Sequence, residues 1–107
     1  MAAYLTIDEQ VFSLKELENS IGRHETSDIK IRDGRVSRFH AALIQADNGF
    51  LLVDRGSQNG VYVDGKRIRS QLLTDDKEIR IGVIVCYFHS GVPERAIGTQ
   101  HDIRVKA

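Results

Sequence analysis

The sequence predicts an all-β domain, built as a sandwich or a barrel of short antiparallel strands. Short apolar runs, rich in β-branched and aromatic residues and mostly of period two, recur at near-regular spacing. Turn-forming residues separate these runs, and helical periodicity is weak. The predicted strands are Tyr4–Ile7, Val11–Leu14, Ile29–Ile31, Ala41–Ile44, Phe50–Val53, Val61–Val63, Ile79–Ile81 and Ile84–Phe88.

The connections favour antiparallel neighbours. Asp47-Asn48-Gly49 lies between two apolar runs and predicts a hairpin turn of about three residues. Asp64-Gly65 predicts a two-residue type I′ turn, because both central positions of that turn need positive φ. Lys15–Asn19 is expected to form a wide hairpin loop.

The length of 107 residues suits a single domain over residues 1–107, because a chain of this size buries one core but not two. The sequence shows no internal repeat, low-complexity tract or linker. The tail at 91–107 is polar apart from Ile103 and Val105. It is expected to hold a last edge strand or to fray.

The charge balance excludes one class of partner. Fifteen Lys and Arg residues match fifteen Asp and Glu residues, whereas a nucleic-acid binder is normally basic. The balance is uneven along the chain: Ile21–His40 and Asp54–Arg69 are each +2, which leaves −4 for the remainder. A local basic patch on a neutral body suits a compact anionic group better than a long polyanion.

Cysteine use and the N-terminal sequence predict an intracellular, cytoplasmic protein without a membrane partner. Cys86 is the only cysteine, so no intramolecular disulfide can form. The start, Met1-Ala2-Ala3-Tyr4, lacks the basic and apolar regions of a signal peptide. No apolar run approaches the about 20 residues that a membrane span needs.

Three polar loops between predicted strands carry the donors of a phosphate site. A phosphate is best held by arginine forks and by hydroxyl or amide donors on rigid scaffolding. Gly22 and Gly60 permit a turn or a close backbone approach beside those donors. The three loop signals are Gly22-Arg23, Ser37-Arg38-Phe39-His40 and Asn59-Gly60.

The stretch Ile21–Ile68 resembles a forkhead-associated (FHA) domain. The resemblance implies a sandwich of two antiparallel sheets with about eleven short strands and binding loops at one end. It also implies recognition of phosphothreonine peptides without catalysis and without a cofactor. The motifs that carry it, in the family's order, are Ile21-Gly22-Arg23, Ser37-Arg38-Phe39-His40, Asp54–Val61 and Tyr62-Val63-Asp64-Gly65.

The resemblance assigns roles to individual residues. It implies that Arg23 and Ser37 contact the phosphate and that Asn59 holds the main chain of the ligand. His40 would brace the loops, with Gly22 in a supporting role. The implied partner is a phosphothreonine-containing protein or peptide produced by a Ser/Thr kinase, and the implied module is monomeric.

Four positions near the predicted site are specific to this chain or vary among members of the family. The family often has Thr on both sides of the Asn-Gly pair, whereas this chain has Gln58 and Val61. Gln58 is expected at the rim of the pocket. Arg38 is expected to be an additional phosphate clamp, with a solvated surface arginine as the alternative. Arg35 is expected to meet an acidic ligand side chain a few residues after the phosphothreonine.

Two alternatives belong to other classes of protein. The first is an assembly module that binds a partner without phosphorylation, by a sheet face or an exposed edge strand. The second is a small hydrolase that uses Ser37 and His40, although the chain has no Gly-X-Ser-X-Gly elbow. The four histidines lack metal-ligand spacing, so no metal site is expected. Each aromatic residue, Phe39 included, is expected to pack in the core or on a sheet face.

Overall fold

The computed structural model describes residues 2–93, so the predicted features at Ile103 and Val105 lie outside the described residues. The described chain has eleven strands, and none of it is a helix long and apolar enough to cross a membrane. The strands are β1 Ala3–Ile7, β2 Gln10–Ser13, β3 Glu18–Gly22, β4 Ile29–Lys30, β5 Ala41–Ala46, β6 Gly49–Asp54, β7 Val61–Val63, β8 Lys66–Ile68, β9 Ser70–Leu73, β10 Lys77–Ile81 and β11 Ile84–Ser90.

The strands form two sheets packed face to face. One sheet has six strands in the order β2-β1-β11-β10-β7-β8, and the other has five in the order β4-β3-β5-β6-β9. Every pair is antiparallel except β3 with β4, which is parallel with Ile21 opposite Ile29. The predicted sandwich of about eleven strands is therefore confirmed, with one parallel pair at the edge of the five-stranded sheet.

Side chains that point inward from both sheets form one core. Ile79 and Ile81 alternate with outward-facing neighbours on β10, which is the physical origin of the period-two pattern. Phe50 and Phe88 meet edge to face across the interface, with ring centroids 6.3 Å apart. Cys86 is buried beside them, and this burial raises the pKa of its thiol to about 12.

Three strands, β3, β8 and β9, lie where the apolar pattern predicted none. The predicted loop Lys15–Asn19 ends earlier than expected, because strand β3 begins at Glu18. Asn19 is buried, and its side chain accepts from the Lys15 N–H and donates to the Lys15 carbonyl, both at 3.0 Å. These two hydrogen bonds satisfy the buried polar side chain of Asn19. The neighbouring sequence gave no reason to predict that Asn19 lies in a strand.

The hairpin turns follow the predicted chemistry with one difference. Asp64 and Gly65 have φ of 49° and 86°, as a type I′ turn requires. The turn after β5 has two residues rather than three, because Gly49 already pairs with Ala46 as the first residue of β6. A Cβ at Gly49 would collide with the Leu73 carbonyl on the neighbouring strand. The glycine there serves close strand packing, not the turn.

Three loops and one turn meet at one end of the sandwich. The loops span 23–28, 31–40 and 55–60, and the turn lies at 82–83. Backbone bonds link them: the Gly82 N–H donates to the Gly60 carbonyl at 3.0 Å, and the Arg55 N–H donates to the His40 carbonyl at 2.9 Å. The sequence-predicted phosphate donors all lie on these loops.

Candidate functional site

Gly22 lets the end of β3 lie directly against the 31–40 loop. A Cβ on Gly22 would collide with the Arg38 carbonyl. The close approach is held by backbone bonds from the Arg23 N–H to the Ser37 carbonyl at 3.1 Å and from the His24 N–H to the Arg38 carbonyl at 3.2 Å. Only glycine fits between these two segments, so the first two predicted loops form one rigid unit.

Arg23 is fixed at one end of its guanidinium and free at the other. Its Nε donates to the Val36 carbonyl at 2.9 Å, while the side chain stays exposed. This bond aligns the planar fork and leaves the terminal N–H groups for a ligand. Among residues 2–93, Arg23 and Arg38 have no carboxylate partner within 4.0 Å, whereas Arg35 pairs with Asp33.

Ser37 is held by its hydroxyl oxygen. Its Oγ accepts the Gln58 backbone N–H at 3.1 Å, which joins the 31–40 loop to the 55–60 loop. The hydroxyl hydrogen remains free to donate, and the side chain is half-buried. The Gln58 side chain is exposed at the rim, and Val61 is fully buried in the core. The departure from Thr at position 61 therefore lies outside the cleft.

His40 braces two loops from a fully buried position. Its Nδ1 accepts the Ser37 backbone N–H at 3.0 Å, and its Nε2 lies 2.8 Å from the Gly60 carbonyl. Because a carbonyl only accepts, Nε2 carries the proton and the ring is the neutral Nε2–H tautomer. Neither nitrogen bonds the Ser37 hydroxyl, so the ring is not placed as the base of a Ser–His hydrolase.

The Asn59-Gly60 turn is tied to the other loops by several bonds. Asn59, which lines the cleft, donates from Nδ2 to the Arg35 carbonyl at 2.8 Å, so its Oδ1 is the atom left to accept a hydrogen bond. Gly60 has φ of 88°, and its N–H donates to Ser57 Oγ at 3.0 Å. Ser57 in turn receives support from Asp54, whose Oδ1 accepts the Ser57 N–H at 2.8 Å. Sequence reasoning did not single out Ser57 or Asp54, although both lie in the motif segment.

Arg35 lies at the rim, and a carboxylate of this chain already contacts its fork. Its Nε and Nη2 donate to the two oxygens of Asp33 at 3.0 and 2.9 Å. These side-chain bonds lower the pKa of the Asp33 carboxyl to about 2 and raise the pKa of Arg35. An acidic ligand side chain would have to share this guanidinium with Asp33.

One cleft collects all six predicted ligand-contact and rim residues. Arg55 also lines it, and sequence reasoning did not assign Arg55 a role. Its Nη2 donates to Glu18 Oε2 at 3.0 Å, which balances its charge. The signal that could have identified it is its position directly before Gly56 in the motif segment Asp54–Val61. The cleft is lined by Arg23, Gly34, Arg35, Val36, Ser37, Arg38, Phe39, Arg55, Gln58 and Asn59.

Phe39 departs from the expectation that it would pack in the core or on a sheet face. It is 56% exposed and stacks on His24, with ring centroids 4.7 Å apart at 29°. The reason is local: Val36 and His40 fill the space below the loop, so the intervening residues point outward. Phe39 is therefore part of the cleft wall.

Within residues 2–93 no three His, Cys, Asp or Glu side chains cluster closely enough to hold a metal ion. The cleft instead presents N–H and O–H donors, which suit an anion that accepts several hydrogen bonds. The fold and this cleft together define a β-sandwich domain whose loop end presents hydrogen-bond donors.

The chain belongs to the FHA domain family, whose model matches residues 19–82. The glycogen accumulation regulator GarA of Mycobacterium tuberculosis is 40% identical over 80 residues, which are 75% of this chain and 49% of GarA. The chain thus spans about half the length of this curated relative.

Solved FHA structures share the fold. One, from a study of phosphothreonine-dependent FHA domain interactions, has a TM-score of 0.81 and 26% identity, and covers 87% of this chain and 100% of its own. Mycobacterium tuberculosis EmbR, solved with a low-affinity phosphopeptide, has a TM-score of 0.80 and 31% identity, and covers 86% of this chain and 26% of its own. The predicted family is confirmed.

Proposed function

We propose that this chain binds phosphothreonine with Arg23, Ser37 and Arg38. The observation that carries the proposal is that these side chains line one cleft and that both arginines lack a carboxylate partner among the described residues. Within residues 2–93, neither arginine has an ion pair that a dianionic phosphate would have to break, so both guanidinium groups can form charge-assisted hydrogen bonds to it. The Ser37 hydroxyl adds a short donor whose oxygen is already fixed.

The rim residues would hold the peptide around the phosphate. Asn59 offers its Oδ1 to a main-chain N–H of the ligand, since its Nδ2 is used by the Arg35 carbonyl. Gln58 extends over the cleft from the same loop. Arg35 would meet an acidic ligand side chain by sharing its fork with Asp33. The expected affinity is modest, because one phosphate and a short peptide bury little area.

The partner in this proposal is a protein phosphorylated by a Ser/Thr kinase, inside the cell, and the module acts as a monomer without catalysis. A methyl group separates phosphothreonine from phosphoserine. A contact with one methyl provides about 1–3 kcal/mol at most. Binding should therefore favour phosphothreonine over phosphoserine without excluding the latter.

The proposal is tested by titrating the wild-type protein and the Arg23→Ala variant with one phosphothreonine peptide selected from a library. Loss of charge-assisted hydrogen bonds should weaken binding by a factor of about 10 or more. Lys66→Ala is the matched control, because it also removes one positive charge but lies beyond the far end of β7. Equal binding of phosphorylated and unphosphorylated peptides would refute the proposal and favour an assembly module.

A further inference from the structure

One exposed aromatic side chain in the cleft wall, that of Phe39, has no part in the proposed phosphate contacts. The Phe39 side chain, which directly follows Arg38 in the sequence, is more than half exposed, and its ring stacks on His24. A phenylalanine side chain left in water forfeits the free energy that its burial would provide. The ring is nevertheless fixed in the wall of the same cleft as Arg23 and Ser37.

The platform formed by Phe39 and His24 is held rigidly from behind. His24 Nδ1 accepts the Thr26 backbone N–H at 3.1 Å and lies 2.8 Å from the Thr26 hydroxyl. On the other side, the Arg38 carbonyl accepts the His24 N–H. These bonds orient His24, and stacking on His24 restricts the Phe39 ring, which can then offer apolar area to a ligand with a smaller loss of conformational entropy.

The platform and the Arg35 rim lie on different sides of Ser37. Arg35 contacts the 55–60 loop through Asn59, whereas Phe39 contacts the 23–28 loop through His24. A peptide anchored by its phosphate at Ser37 would therefore pass from one flank of the cleft to the other. The first flank carries a guanidinium and an amide, and the second carries two aromatic rings.

We infer that the Phe39–His24 platform binds an apolar side chain that precedes the phosphothreonine in the ligand. The inference rests on the proposed function, in which Arg35 meets the residues that follow the phosphothreonine. Peptide continuity then places the preceding residues on the opposite flank. An apolar side chain, such as leucine, would bury hydrophobic area against the exposed Phe39 ring.

Selection from a degenerate peptide library with a fixed phosphothreonine is the first measurement. We expect enrichment of leucine, isoleucine or methionine within the three residues before the phosphothreonine. Two matched peptides, with leucine or alanine at the selected position, then give a direct comparison. For the wild type, the change from leucine to alanine should weaken binding about fivefold.

Phe39→Ser should abolish this preference. Its affinity for the leucine peptide should fall to that for the alanine peptide, which should itself change less than about twofold. Because Phe39 is exposed, this variant should fold, and a matched control is Val85→Ser, an exposed apolar residue on β11 outside the cleft. Val85→Ser should keep the full preference.

Three results would overturn the inference. Equal weakening of both peptides by Phe39→Ser would make the ring a loop support. No change with either peptide would make it inert, and loss of a preference located after the phosphothreonine would place the platform on the other flank. Failure of the proposed function has a separate signature, since no library member would then bind in a phosphate-dependent way, and the inference would fall with it.

Discussion

Replacement of His40 by alanine tests whether this side chain holds together the loops that form the cleft. The ring is fully buried and joins the Ser37 N–H to the Gly60 carbonyl. The carbonyl keeps a second donor in the Gly82 N–H, but the Ser37 N–H has no other acceptor among the described residues. One unsatisfied donor and the lost packing of a buried ring should together lower the free energy of unfolding by about 3 kcal/mol.

Urea denaturation followed by circular dichroism measures this change. His40→Asn and His40→Gln divide the effect, because an asparagine oxygen lies near the Nδ1 position and a glutamine amide near Nε2. Each should recover part of the loss. His89→Ala, a half-buried histidine on the face of the six-stranded sheet, is the control and should cost less than about 1 kcal/mol.

Peptide affinity distinguishes a brace from an ordinary core residue. Under conditions where His40→Ala remains folded, its affinity for a phosphothreonine peptide should fall about tenfold, because two of the three loops lose their alignment. An unfolding free energy within about 0.5 kcal/mol of the wild type would refute the energetic reasoning. Unchanged affinity in a destabilised variant would refute the bracing role.

The remaining predictions concern the backbone, an ion pair and the thiol. Gly22→Ala should lower the free energy of unfolding by about 2 kcal/mol, because the new Cβ would collide with a backbone carbonyl. Gly65→Ala has open space around its Cβ and should lower it by only about 1 kcal/mol, which is the cost of a positive φ for alanine. Thermal denaturation of the two variants compares these effects. The pKa of Asp33 in the folded protein, about 2, lies below the ordinary value of 3.8, so its pair with Arg35 should stabilise the fold above pH 3.8 and be lost as the pH falls through about 2. A carboxyl NMR titration of the wild type and Arg35→Ala checks this, and an unchanged pKa in the variant would contradict it. Cys86, with its pKa raised to about 12, should resist a thiol reagent at pH 8 until the protein is unfolded, and rapid labelling of the native protein would count against the buried site.

The sequence predicted most strands because alternation reports burial on one face. It failed for β3, whose residues Glu18, Asn19 and Ser20 are polar. This strand exists because its backbone pairs with β5 and because Asn19 finds its partners at Lys15. Cross-strand pairing of this kind depends on a segment far away in the sequence, so the strand propensity of the local residues does not predict it.

The sequence predicted which residue types form the site, but it predicted their positions and orientations less well. The motifs gave Arg23, Ser37 and Asn59 as donors, and the structure places them in one cleft. The expectation for Phe39 was wrong, because adjacency to strand residues says nothing about which way a loop side chain points. The ion pair between Asp33 and Arg35 was also missed, since two residues of opposite charge at this spacing meet only when the loop curves tightly.

The three short loop signals and the period-two apolar runs are properties of the sequence itself. They determined the all-β class, the type I′ turn at Asp64-Gly65 and the set of hydrogen-bond donors on the loops, because each depends on local residue type. The tertiary structure alone decided which loops meet, the tautomer of His40, and which arginines have no acidic partner within residues 2–93. These features depend on the register of strands far apart in the chain, which hydrogen bonds and core packing fix only in the folded state.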